Sequence, residues 1–160
     1  MNDAIISQAN AASTNLLSEA LAEFVEGFDF DSVPLEVIAR AKLNILDALG
    51  IGFASVGFDF SRCLTSALIE IGGEGEYPII GMDVRLTQRD SAHLNGTLIH
   101  GLDYDDTHSG AVVHTSASAV PTMLAVGQAT GAEGKQALGA FLLSSEAASR
   151  IGAAANGGFH

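Results

Sequence analysis

One cysteine, three prolines and no tryptophan occur in 160 residues. A lone Cys63 excludes an internal disulfide and any CxxC metal site, suits a reducing compartment, and reads as a small buried apolar residue rather than a nucleophile. Positive charge is scarce as well: seven Lys and Arg stand against nineteen Asp and Glu, a formal net charge of −12. The summed field opposes nucleic acid and anionic membrane surfaces, and an anionic substrate needs a local cluster of cations that this chain does not visibly supply. No apolar run approaches the ~18 to 20 residues of a membrane span, and MNDAIISQAN lacks the basic and apolar regions of a signal peptide. The expectation is a cytoplasmic protein that binds neither nucleic acid nor membrane.

Several motifs are missing too. There is no GxSxG elbow of a serine hydrolase, and the GGEG tract at Gly72 to Gly75 has neither the preceding strand nor the spacing of a phosphate cradle, so it reads as a flexible loop. HxH, HxxxH and HExxH spacings are absent, which leaves Asp and His without a defined metal-ligand pattern.

What the chain does have is apolar material, 48% of its residues, enough for one domain with a real core. Leu16, Leu17, Ala20, Leu21, Phe24 and Val25 recur at helical spacing behind a candidate N-cap at Thr14, predicting a helix over about 15–27. Pro34 suits the first turn of a second helix to about Val56, apolar nearly all round after Asn44 and therefore expected to be buried between other helices. Further helices are predicted over Cys63–Ile71, about 88–98 behind a Thr87/Asp90 capping pair, from Ala117 or Pro121 to Thr130, and from Lys135 to Ile151 with a Glu146/Arg150 surface pair. Only Tyr77–Ile80 reads as a strand. The Met and Phe residues are expected in the core. The fold class is all-α with at most one short strand, divided into a flexible 1–14 and a helical domain over 15–160.

Between two of those helices lies His100 to His114, HGLDYDDTHSGAVVH, with three carboxylates, a Thr hydroxyl and three imidazoles in fifteen residues. Asp103, Asp105 and Asp106 cannot all be ionised and unpaired in a dry site. An imidazole hydrogen-bonded to a carboxylate resolves the conflict and leaves its other nitrogen as an acid or base near neutral pH. Asp103 with His114 or another His is one such pair. The plain alternative is a polar loop of Asx turns and helix caps, and a metal site of Asp and His ligands is a third.

The stretch LNGTLIHGLDYDDTHSGAVVHTSASAVPTMLAVGQATG, together with PLEVIARAKLNILDALGIGFAS and EGKQALGAFLLSSEAASRIG, resembles the MmgE/PrpD family, which includes 2-methylcitrate dehydratase, cis-aconitate decarboxylase and iminodisuccinate epimerase. The resemblance implies the N-terminal part of a large helical domain, completed elsewhere by a smaller lid, in a homodimer without metal or organic cofactor. It implies a lyase acting on small di- and tricarboxylates by proton transfer beside a carboxylate. Asp103, Thr107, His114 and His160 match the family's active-site positions, with His114 and His160 as proton donor or acceptor, Asp103 as orienter of an imidazole and Thr107 as hydrogen-bond donor. The family's HPS motif here reads His114-Thr115-Ser116, without its Pro. Family chains are far longer, so 160 residues read as an N-terminal fragment whose missing part would bring the cations. Two alternatives stand beside the lyase: a non-catalytic helical module that assembles with a partner, and an isomerase (epimerase) of the same family. A metal-dependent hydrolase stands further off.

Overall fold

Residues 16–155 are described by the computed structural model. The candidate cap Thr14, the expected flexible 1–14 and His160 lie outside them. Helix α1 (Leu17–Glu26) follows the predicted periodicity; Leu16 occupies its N-cap position, and the Glu19 carboxylate accepts the Leu16 N–H at 3.1 Å. A single 3₁₀ turn, Phe30–Ser32, is capped by the Asp29 side chain, which accepts from the Asp31 N–H.

Pro34, at φ −57°, leads into α2 (Leu35–Ser55). That helix buries one face, with Ala41, Ala48 and Ile51, against the helices Gln88–His100, Thr115–Thr130 and Gly134–Ala154. Leu43, Leu46 and Phe53 on the other side are exposed. The expected burial all round is therefore corrected: its neighbours among the described residues cover it along one side only. Helix α3 (Asp59–Gly72) begins at Asp59 rather than Cys63, because Asp59 in the first turn pairs with Arg62. Cys63 is exposed on it, contrary to the buried role expected.

Gly73, at φ +73°, ends α3 and releases the chain into an antiparallel hairpin of β1 (Glu74–Ile79) and β2 (Met82–Leu86), turned at Ile80 and Gly81. Half of the GGEG tract is thus strand rather than loop. The second strand, MDVRL, carries the period-two alternation in only five residues, too short a run to stand out. Asn95 sews the hairpin to the next helix: its Oδ1 accepts from the Ile80 N–H at 2.8 Å, and its Nδ2 donates to the Pro78 carbonyl at 3.1 Å.

Helix α4 (Gln88–His100) is the hub, packed against α2, α3, the hairpin and α5. The Thr87/Asp90 pair caps it as predicted: Thr87 Oγ1 accepts from the Asp90 N–H and donates to Asp90 Oδ2 at 2.8 Å. Leu94, Leu98 and Ile99 on its inner face are fully buried with Leu86 of β2 and Val120 of α5. Helix α5 (Thr115–Thr130) starts before the predicted Ala117 and carries Pro121 inside it. Helix α6 (Gly134–Ala154) closes the described chain, with Arg150 and Glu146 paired at 2.6 Å. Phe141 is buried and Met82 and Met123 pack half-buried on the core, but Phe24, Phe53 and Phe58 are exposed, so the core takes only part of the Met and Phe set. The all-α class with its minor strand element stands. No single described helix is long and apolar enough to cross a membrane; α2 and α3 pass that test only together, as a pair bent by 89°.

Candidate active site

The site is built on the loop from α4 to α5. Gly101 ends α4 where a Cβ would collide with the Phe60 ring and lie 2.8 Å from the Thr97 carbonyl. Two residues on, the Asp103 N–H donates to the His100 carbonyl at 2.8 Å and Asp103 takes a left-handed backbone at φ 56°, which a short polar side chain tolerates. The chain thereby turns outward at Asp103, whose side chain is 81% exposed, and inward at Asp105, whose side chain is 0% exposed.

Asp106 is consumed by structure. Its Oδ1 accepts from the Ser116 N–H at 3.0 Å, and its Oδ2 from Thr115 Oγ1 at 3.1 Å and Asn44 Nδ2 at 3.4 Å. A carboxylate on the orphan donors of a helix N-terminus is favourable, so Asp106 caps α5 from outside and fixes His114, the residue just before its first turn. Thr115 occupies the first helical position, where the family's Pro would fit, and makes a side-chain bond to Asp106 that Pro could not.

His108 and Val113 bridge to close the intervening turn, in which Val112 sits at φ 52°. A β-branched residue there carries about 1–3 kcal/mol of strain. The turn is held from behind by α6, where Gly152 lies against Val113 and Ala111.

Within this frame one carboxylate gathers two imidazoles. Asp105 Oδ1 and Oδ2 lie 3.1 and 3.2 Å from His100 Nδ1, and Oδ2 lies 3.3 Å from His114 Nδ1. The two rings meet edge to face, 4.8 Å apart at 69°. Thr107 Oγ1 is 3.5 Å from His114 Nδ1 and 3.4 Å from the Asp105 carbonyl. Asp103 Oδ1 stands 3.9 Å from His114 Nε2, beyond hydrogen-bond reach. The structure thus brings Asp103, Thr107 and His114 together, while the predicted His160 lies outside the described residues. The buried carboxylate beside the two imidazoles is Asp105, and Asp103 is exposed. Asp105, His100 and Asp106 are the positions that sequence reasoning left unassigned; nothing in DYDD says which carboxylate turns inward.

A cavity of about 620 Å³ opens between α4 and α5, with His93, Gly96, Thr97, His100, His114 and Pro121 among its walls. Pro121 has no N–H to offer the Ala117 carbonyl, and that carbonyl faces Gly96, 2.9 Å from where a Cβ would sit. No Lys or Arg lines the cavity among the described residues; its only cation-forming groups are imidazoles. His100, Asp103, Asp105 and His114 also offer one ligand atom each within 4.8 Å of one another, a set able to gather round a cation that the sequence spacing did not suggest.

Asp103, Thr107 and His114, the described positions of the resemblance, share this one loop, and comparison with known proteins shows the family. The model of the MmgE/PrpD N-terminal domain matches residues 19–159. The chain belongs to the MmgE/PrpD family. Similar proteins include the cis-aconitate decarboxylase of Mus musculus, 29% identical over 71% of this chain and 23% of that protein. That of Aspergillus terreus strain NIH 2624 / FGSC A1156 is 26% identical over 92% of this chain and 32% of the relative. The cis-aconitate decarboxylase-like protein oryM of Aspergillus oryzae is 28% identical over 68% and 22%. The chain therefore spans a third or less of the length of these relatives.

Proposed function

We propose that this chain forms one wall of a lyase site for small di- or tricarboxylic acids, in which His114 gives or takes a proton beside a carboxylate. The observation that carries the reading is His114, 3.3 Å from the buried Asp105 and beside Thr107 and Asp103, on the wall of an open hollow between α4 and α5. The named relatives favour decarboxylation of a cis-aconitate-like acid over dehydration of a methylcitrate-like one. In that reaction the C–C bond to the departing carboxylate breaks and its electron pair delocalises toward the remaining unsaturated acid. A proton from a His114 imidazolium then adds to carbon. Thr107 donates a hydrogen bond to the substrate, Asp103 stands at the Nε2 side, and His160 is a second proton carrier. The cations that would bind the substrate carboxylates are supplied by polypeptide beyond these helices, in a cytoplasmic homodimer.

The test is turnover of the complete gene product on cis-aconitate and on 2-methylcitrate, followed by CO2 release and by loss of water. His114→Ala is expected to lower turnover about 10²- to 10⁴-fold, the size of one general acid–base contribution. Unchanged turnover sinks the assignment. Chelation is expected to leave the rate intact; a rate lost to chelator and restored by a divalent ion would move the four-residue cluster to a metal role.

A second reading, a helical module that completes its core against another polypeptide, is favoured by the exposed Leu43, Leu46 and Phe53 face of α2. Light scattering on the isolated chain tests it, and a well-behaved monomer counts against it.

A further inference from the structure

Asp105 is the most deeply buried group of the cluster and the one to which no role has been given. We propose that Asp105 is the positioning residue of this site, holding His100 and His114 together as Nδ1–H tautomers and leaving both Nε2 atoms bare. The inference rests on the proton-transfer reading and specifies which nitrogen does the work.

An ionised carboxylate only accepts hydrogen bonds, so His100 Nδ1, hydrogen-bonded to Asp105 at 3.1 Å, carries the hydrogen; at His114 Nδ1, an ion-pair distance of 3.3 Å from Asp105 Oδ2, a bare nitrogen would set lone pair against lone pair. A neutral imidazole has one N–H, and with it on Nδ1 the Nε2 atom is free as acceptor. For His114 that free atom is the one facing Asp103. Both Asp106 oxygens are taken up by the start of α5 and by Asn44, and Asp103 is exposed and approaches the opposite nitrogen; the Thr107 hydroxyl, hydrogen-bonded to His114 Nδ1 at 3.5 Å, can donate or accept and so selects no tautomer by itself. The same geometry adds His100, whose ring lines the cavity beside His114, as a second residue with an unprotonated Nε2. Nearby His108 supplies a control of opposite sense. Its Nδ1 accepts from the Ala111 N–H at 3.0 Å, so its hydrogen belongs on Nε2.

The experiment is a two-bond proton–nitrogen correlation spectrum of the ¹⁵N-histidine-labelled chain at a pH where the rings are neutral, assigned by single His→Gln variants. His100 and His114 are expected to show the Nδ1–H pattern and His108 the Nε2–H pattern. In Asp105→Asn the side chain keeps one acceptor and gains a donor, so one of the two rings is expected to switch to Nε2–H and the other to stay. An Nε2–H pattern for His114 in the unsubstituted chain overturns the proposal, as does a pair unchanged in a folded Asp105→Asn variant. Should that variant lose its dispersed amide spectrum, the unsubstituted chain decides alone, because the tautomer is measured there directly. The spectra need no substrate: a protein inactive on every acid tried, with the tautomers as expected, defeats the lyase reading and leaves this one standing.

Discussion

One buried aspartate sits in the first turn of α4 and another in the loop that follows its last turn, and the two are held in opposite ways. Asp90 in its first turn is 2% exposed and answers to the Arg89 guanidinium, the Thr87 hydroxyl and the helix N-terminus. Asp105, just past its last turn, is as deeply buried and answers to two imidazoles. The hydrogen bond from Arg89, then that from Thr87, holds the Asp90 carboxyl below the usual carboxylate range, and Asp90 in turn raises Arg89. Permanent partners make Asp90 a joint of the fold. Partners whose side chains can exchange protons are what the proposed role of Asp105 rests on. Equal burial thus serves structure or chemistry according to what faces the charge.

Crowding tests the two ends most severely. Gly152→Ala drives a methyl into Val113 and the Ala111 carbonyl behind the His114 loop, and Gly72→Ala drives one onto Asp90 Oδ2. Each is expected to cost about 1–3 kcal/mol in urea unfolding, outweighing the ~1 kcal/mol that Ala gains over Gly in a helix. Only Gly152→Ala should also shift the His114 ring resonances. If Gly72→Ala shifts them as much, the two ends are not separate.

Next in size is the Asp106 clamp. Thr115→Val removes the hydroxyl bond to Asp106 and is expected to cost about 0.5–1.5 kcal/mol. Thr115→Pro loses the same bond but suits the first helical position, so it should lie within about 1 kcal/mol of the parent in the same titration.

The pH dependence of stability separates the ends more gently. A folded-state pKa below the unfolded one means that Asp90 stabilises the fold above its unfolded value, near pH 4, and loses that contribution as pH falls through the lower folded value. Melting temperatures from pH 6 down to pH 2 should therefore fall less steeply in Asp90→Asn than in the parent, and Arg89→Gln should lie between. Identical acid limbs in all three would remove Asp90 from the joint. The smallest effect is expected of Val112→Asn: Asn keeps part of the left-handed cost and gives up the apolar contact of a half-exposed valine, so the net stabilisation should be less than about 1 kcal/mol by calorimetry.

The helices were legible in sequence because each repeats an apolar face over ten residues or more, and the Thr87/Asp90 cap announces itself within four. The second strand escaped notice at five residues, and the start of α3 was hidden because an Asp59–Arg62 pair looks like loop chemistry until a helix places it. Asp103, Thr107 and His114 were named by resemblance, and the structure places them on one loop. Burial was misjudged for Cys63 and for one side of α2, since periodicity shows which residues share a face but not what covers it.

By itself the sequence determined an acidic, helical chain of the MmgE/PrpD family with its proton-handling residues on one loop. Only the tertiary structure decided which aspartate is exposed, which is buried and which caps a helix. Asp103, Asp105 and Asp106 are chemically identical neighbours. A left-handed turn at Asp103, a helix start that takes up both oxygens of Asp106, and two imidazoles converging from different helix ends single out Asp105. Those are properties of directions in space, which residue order along a chain does not carry.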